Sequence, residues 1–189
     1  MTVIVALVDG KRVWFGADAM STDTDDILMQ QSEMLLPKII PIGKDVLVAL
    51  AGEHINHSLV RFHKPPTPVA GVETVVWIQT NFLPWLEKKQ DLLSPKKRRG
   101  SILIGRGHEL FMVEVANCDA VPVTSAAIGS GASYALGAIH ALGELPTLTG
   151  RDRVAAGVRA ACHYDPYCGG RIDVMHTGPV HSTDTIPEA

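Results

Sequence analysis

The sequence predicts a single α+β domain in which sheets pack together and helices cover them. Three observations carry this reading. The chain has 189 residues and 46% apolar content, enough to bury one core. Hairpin signals recur along it, and helical periodicity is confined to two intervening blocks. The resulting order of strands, helices, strands, helices and a last strand is that of stacked sheets under helical layers. No internal repeat or linker divides residues 1–189.

Residues 2–8 are an apolar, β-branched run, and Asp9-Gly10 is a strong hairpin signal because both positions tolerate positive φ. Residues 11–17 form the return strand. With Asp9 and Gly10 as the loop, Val8 faces Lys11, Thr2 falls opposite Ala17, and Asp18 lies beside Thr2. A second hairpin runs from Lys38-Ile39-Ile40-Pro41-Ile42 into residues 46–52. Centring its turn on Lys44-Asp45 sets Lys38 opposite Ala51, next to Gly52. Pro41 cannot donate to a ladder and predicts an edge strand or a bulge there.

Residues 53–63 read as a short helix, and Pro65-Pro66-Thr67-Pro68 interrupts the chain. A longer helix follows over 72–93, with Val72, Val75, Val76, Phe82, Leu83 and Leu86 at helical spacing and a kink expected at Pro84. Residues 101–104 and 110–115 are strands joined at Gly105-Arg106-Gly107. After a further extended stretch, Gly129-Ser130-Gly131 precedes a helix carrying Ala135, Ala138, Ile139 and Leu142. A cap at Thr149-Gly150-Arg151-Asp152 opens another with a Val154, Val158 and Ala161 stripe. Residues 171–176 close the domain as a strand.

Charge and cysteine content narrow the function classes. A net charge of −3 supplies no basic field to gather nucleic acid or an anionic membrane surface. No apolar run approaches the roughly 18 residues of a membrane span. The start Met1-Thr2-Val3-Ile4-Val5 lacks the basic region and cleavage site of a signal peptide, so a cytoplasmic protein is expected. Three widely spaced cysteines, Cys118, Cys162 and Cys168, suit reduced thiols better than a disulfide framework or a zinc site.

The chemistry concentrates on Thr2. If it becomes the first residue, its own amine can take the proton from its hydroxyl, and no histidine base is needed. An α-amino pKa of about 8 leaves a useful neutral fraction near physiological pH. Threonine is small enough that a preceding initiator methionine is normally removed. Lys38 near the hydroxyl would favour its ionised form, and Asp18 would hold Lys38 charged and oriented. The amide of Gly52 could stabilise the oxyanion that forms on attack at a carbonyl. Each residue alone also has a structural explanation, since buried Asp–Lys pairs support folds and glycine ends many strands.

In combination they resemble a known family. Thr2-Val3-Ile4-Val5, Gly16-Ala17-Asp18-Ala19-Met20-Ser21-Thr22, Lys38-Ile39-Ile40-Pro41-Ile42 and Ala49-Leu50-Ala51-Gly52 are similar to the successive signature segments of proteasome β-type subunits and bacterial HslV. Ala127-Ile128-Gly129-Ser130-Gly131 is similar to that family's Gly-Ser-Gly turn. Tyr164-Asp165-Pro166-Tyr167-Cys168-Gly169-Gly170 is similar to its Asp-x-x-Ser-Gly-Gly segment, with Cys168 standing where serine is usual.

The resemblance implies a four-layer αββα sandwich, the N-terminal nucleophile hydrolase fold, and a threonine endopeptidase acting without metal or organic cofactor. It implies Thr2 as nucleophile and base, tuned by Asp18 and Lys38. Ser130, Asp165 and Cys168 would support the amine, and Gly52 would give the oxyanion contact. Ser21, Thr22, Leu36, Leu50 and His54 would line the substrate groove, Leu50 favouring an apolar side chain in the specificity pocket. It further implies peptide or unfolded-protein substrates, homo-oligomeric stacked rings and an ATP-driven unfoldase as partner. Two other functions fit the same residues: a non-catalytic ring or scaffold subunit retaining Met1, and an amidohydrolase of the same nucleophile class acting on small amides.

Other signals are set aside. Gly129-Ser130-Gly131 fails as a nucleotide-binding fingerprint because Tyr134 occupies the position of the third glycine. Glu53-His54 with His57 has no third ligand for a metal and reads as helix-surface histidines. Lys96-Lys97-Arg98-Arg99 reads as a solvated loop, and Cys168 as a packed or locally bonded thiol.

Overall fold

The computed structural model describes residues 2–23, 30–93, 100–145, 147–178 and 184–186; the basic 96–99 run lies outside them. Two five-stranded antiparallel sheets form the centre. One has the order β10-β1-β2-β11-β12, built from β1 (Val3–Asp9), β2 (Arg12–Asp18), β10 (Ser125–Gly129), β11 (Ile172–His176) and β12 (Asp184–Ile186). The other has the order β5-β6-β7-β8-β9, from β5 (Ile39–Ile42), β6 (Val46–Gly52), β7 (Gly100–Arg106), β8 (Glu109–Glu114) and β9 (Asp119–Pro122). A separate ribbon pairs β3 (Met20–Asp23) with β4 (Gln30–Glu33).

Strand alternation sorts the apolar side chains into three buried layers. Ile4, Ala6 and Phe15 of the first sheet meet Leu47, Ala49 and Leu103 of the second between the sheets. The opposite face of β1, Val3, Val5 and Leu7, packs on Val154, Val158 and Ala161 of α5 (Gly150–Tyr164) and on Ala135 and Ile139 of α4 (Ala132–Gly143). The outer face of the second sheet, with Val48, Leu50, Ile102 and Ile104, is covered by Leu59 of α1 (His54–Phe62) and by Trp77, Phe82 and Leu86 of the 74–93 helical segment. The order of layers is αββα. Each enclosed aliphatic side chain contributes about 1.5–3 kcal/mol of apolar burial. Because both faces of β1 and β6 are covered, these strands read as unbroken apolar runs rather than as alternating ones.

The segment expected as one kinked helix is α2 (Thr74–Trp77), a π-helical turn over Ile78–Phe82 and α3 (Leu83–Leu93). The irregular turn precedes Pro84, which has no N–H to give the ladder and whose ring crowds the turn before it. Thr149 and Asp152 form the expected capping box at the start of α5.

Two hairpin registers differ from the expectation. In the first, Asp9 pairs with Arg12 and Ile4 with Ala17, so Gly10 and Lys11 make the turn and the ladder is displaced by two residues. An even displacement keeps every side chain on its face, and Asp18 still reaches the N-terminal strand. In the second, Ile39 pairs with Ala49 and Ile42 with Val46, a shift of one residue. A three-residue turn, with Gly43 at φ +65°, replaces the two-residue turn centred on Lys44-Asp45. Pro41 lies on an edge strand, opposite Leu47, where its missing donor costs nothing.

Candidate active site

Thr2 is the residue before β1, held from both sides by backbone and side-chain contacts. Asp18, the last residue of β2, accepts from the Val3 N–H at 2.9 Å and from the Thr2 hydroxyl at 2.6 Å, both on Oδ1. Its Oδ2 accepts from the Gly169 N–H at 3.2 Å. On the other side the β10–α4 turn closes over Thr2: the Gly131 N–H and the Ser130 hydroxyl both approach the Thr2 carbonyl at 3.4 Å. Gly129 is required there. A Cβ on it would stand 2.1 Å from the Thr2 carbonyl oxygen, and its φ of +97° disfavours any side chain.

Lys38 enters from the start of β5 and completes the cluster. Its Nζ donates to Thr2 Oγ1, to Asp18 Oδ1 at 2.6 Å and to the Met20 carbonyl at 2.6 Å, using all three of its donors. The ammonium and the carboxylate are both buried. Burial lowers the Lys38 pKa, against the pull of the Asp18 charge. The Thr2 hydroxyl thus sits between a cation that donates to its oxygen and a carboxylate that accepts its proton. That arrangement favours an oxygen nucleophile.

Asp165 and Cys168 lie behind the Gly-Ser-Gly turn. Asp165 caps α5 and accepts from the Tyr167 N–H at 2.9 Å and from the Cys168 thiol at 3.4 Å. Cys168 Sγ is 3.8 Å from Ser130 Oγ. Burial, followed by the Asp18 charge, pushes the Cys168 thiol up to about 12, so it stays protonated and acts as a donor. Ser130, Cys168 and Asp165 therefore form a chain ending on the Thr2 carbonyl. The expected contact was to the Thr2 amine.

A cleft opens over Thr2, lined by Ser21, Lys38, Gly52, His54 and Ser130 among others. Gly52 ends β6 at φ +115°, on the cleft wall. Ser21 Oγ and His54 Nε2 are 3.0 Å apart across β3 and α1. The Thr22 backbone pairs with Gln31 in the β3–β4 ribbon. Two residues expected in the groove lie elsewhere in this structure. Leu50 is 1% exposed and packs with the helix-facing core, because it shares the alternation of Val46 and Val48. Leu36 is 47% exposed, and neither leucine is among the described residues that line the cleft; Met34 is the residue of that segment that does.

His57 is a cleft residue that the sequence reading put on the helix surface. It is 8% exposed, and burial, then the positive charge of Lys38, lowers its pKa to about 4. Its spacing gave a usable signal, since it lies three residues before Val60, on the buried side of α1.

The fold defines a class: the chain has the N-terminal nucleophile hydrolase fold, and Thr2 stands directly before its first strand. Among solved structures it is similar to Thiobacillus denitrificans BPH in complex with epoxomicin, at 18% identity and TM-score 0.72, covering 95% of this chain and 100% of that one. Thiobacillus denitrificans BPH in a second structure matches at 20% identity and TM-score 0.70, over 95% and 99% of the two chains. Eukaryotic HslV from Trypanosoma brucei matches at 18% identity and TM-score 0.68, over 93% and 98%. No protein-family model matches the sequence, and no curated protein matches it significantly. The expected αββα fold is therefore established. Among the described residues no helix is long and apolar enough to cross a membrane.

Proposed function

We propose that the protein is a threonine-type peptidase whose nucleophile is Thr2, exposed by removal of Met1, and which works in homo-oligomeric rings of the kind HslV represents. The observation that carries this reading is the position of Thr2 Oγ1, hydrogen-bonded to both Lys38 Nζ and Asp18 Oδ1 at the base of an open cleft. A structural pair of Lys38 and Asp18 has no need of a hydroxyl between them. An inert scaffold has no need of a cleft at that hydroxyl.

In this mechanism the free α-amine of Thr2 removes the hydroxyl proton as Oγ1 attacks the substrate carbonyl. Lys38 stabilises the developing charge on Oγ1, and the Gly52 N–H stabilises the oxyanion. The C–N bond breaks, the leaving amine takes the proton from the Thr2 ammonium, and an ester remains on Oγ1. A water deprotonated by the same amine then hydrolyses the ester. Ser130, Cys168 and Asp165 hold the Thr2 main chain while this happens. Peptides or unfolded proteins are the substrates, and an ATP-driven unfoldase is the partner that would deliver them, in the cytoplasm.

The test is the intact mass of the purified protein together with hydrolysis of fluorogenic peptides by wild type and Thr2→Ala. Loss of Met1 with activity abolished in Thr2→Ala supports the reading. Retained Met1 without hydrolysis assigns the chain to a scaffold role, and activity surviving in Thr2→Ala refutes Thr2 as nucleophile. Epoxomicin, the ligand of one structural neighbour, is the first compound to try as an inhibitor.

A further inference from the structure

We infer that the Ser21–His54 pair makes the cleft select an acidic side chain, glutamate or aspartate, at the residue whose carbonyl Thr2 attacks. The inference rests on the peptidase reading above and specifies its substrate.

The pair is placed to meet that side chain. On that reading the attacked carbonyl lies between Thr2 Oγ1 and the Gly52 N–H, so the side chain of the same residue leaves toward the wall beside Gly52. His54 stands there at the start of α1, and Ser21 approaches it from β3. Both line the cleft, His54 exposed and Ser21 half-buried, so a substrate reaches them directly. Ser21 Oγ and His54 Nε2 are 3.0 Å apart, and the ring tautomer decides which of them donates. In either tautomer the neutral pair keeps one donor for a ligand. With a second proton on the ring it offers two.

The surroundings favour negative charge. His54, His57 and Arg61 recur at i, i+3 and i+7 and so share one face of α1. His54 and His57 line the cleft, and the Arg61 guanidinium donates to the carbonyl of Pro37, the residue before Lys38. Among the described lining residues there is no carboxylate. Asp18 is fully buried, holds the Val3 amide, the Thr2 hydroxyl and Gly169, and offsets the charge of Lys38. Asp165 lies behind the Gly-Ser-Gly turn and accepts from Tyr167 and Cys168. Glu53, the N-cap of α1, is half-buried and outside the lining. Arg61 has no carboxylate partner among the described residues, so its charge leaves this face of α1 positive.

These groups sort the substrate side chains. Lysine or arginine would be repelled by Arg61 and would find no carboxylate to pair with. An apolar side chain would desolvate Ser21 and His54 without satisfying them, because Met34 is the one large apolar side chain among the described lining residues and Leu50 belongs to the core. Glutamine can accept from the pair but brings no charge. A carboxylate accepts from Ser21 and His54 and draws the second proton onto the ring, and the resulting charge-assisted bonds are about twice as strong as neutral ones.

The experiment uses one peptide series, capped at both ends, that differs only in the residue before the scissile bond: glutamate, glutamine, leucine or lysine. At pH 6, kcat/KM for glutamate should exceed that for each of the others by about tenfold, and the glutamate-to-glutamine ratio should shrink toward pH 8 as His54 loses its second proton. His54→Gln should bring that ratio near one and remove its pH dependence, and Ser21→Ala should lower it in part. A ratio taken within one variant is insensitive to the fraction folded. The same four peptides are titrated calorimetrically into Thr2→Ala, where binding is read without turnover. Tighter binding of the glutamate peptide, lost when His54→Gln is added, supports the inference even if no peptide is cleaved, an outcome that would count against the peptidase reading alone. Equal affinities for glutamate and glutamine, a preference for leucine or lysine, or a ratio unchanged in His54→Gln would overturn it.

Discussion

Acidification should destabilise this fold through His57 in a way that can be isolated. The ring is 8% exposed, and its pKa falls from an ordinary value of 6.5 to about 4. Burial is the larger cause, followed by the Lys38, His54 and Arg61 charges. Because the folded pKa lies below the unfolded one, the unfolded chain binds the proton more readily. Stability is full above pH 6.5 and declines as pH falls through the window from 6.5 to about 4. At about 1.36 kcal/mol per unit, the full window corresponds to roughly 3 kcal/mol, and about 2 kcal/mol of it is lost by pH 5. Urea denaturation at a series of pH values measures this directly. Other titrating groups contribute equally to wild type and to His57→Gln, so the difference between their slopes isolates the histidine. The wild-type curve should fall more steeply by about 2 kcal/mol between pH 7 and pH 5. Parallel curves would mean that His57 titrates near its ordinary value and is not enclosed as described.

Three further outcomes follow from the site. Lys38→Met removes the cation from a fully buried Asp18 carboxylate and should abolish hydrolysis and cost about 3–5 kcal/mol in urea denaturation, with Asp18→Asn in the same background restoring part of the stability. Gly129→Ala forces a Cβ onto the Thr2 carbonyl and should lower peptide hydrolysis at least tenfold while a thermal melt shifts downward by several degrees. Iodoacetamide at pH 7.5 should label the exposed Cys118 first and leave Cys168 unmodified until the protein is unfolded, as peptide mapping would show; rapid labelling of Cys168 in the folded protein would contradict its raised pKa.

Thr2, Asp18 and Lys38 were legible because two hairpin signals bring their strands together, although neither register was right in detail. The first ladder is displaced by two residues, which a period of two forgives. The second is displaced by one. Leu50 was placed in the groove by the resemblance alone, whereas its alternation with Val46 and Val48 along β6 puts it in the core. The β3–β4 ribbon gave no signal, since Met20–Asp23 and Gln30–Glu33 are largely polar and lack alternation. His57 was misread for a different reason. The helix alone offers a histidine beside a short apolar stripe, and Lys38 and Leu50 of β6, which act on its ring, arrive from other parts of the chain.

The support behind Thr2 shows how a residue exchange can be absorbed. Where a serine hydroxyl would make short hydrogen bonds, Cys168 spans 3.8 Å to Ser130 and 3.4 Å to Asp165, the longer reach that sulfur requires. Each of these contacts is weaker than its oxygen counterpart. The thiol recovers part of the difference by packing, since it is buried with Val3, Val5 and Ala161 under α5. Gly131 allows this, because a Cβ there would stand 2.9 Å from the sulfur. The position of Thr2 then depends less on the Ser130 chain and more on Asp18, which binds the Val3 amide, the Thr2 hydroxyl and Lys38 through one oxygen and Gly169 through the other. Asp18 thus ties the N-terminal strand, the lysine and the segment after α5 to one carboxylate. The position of Thr2 should accordingly tolerate a change at Cys168 far better than one at Asp18.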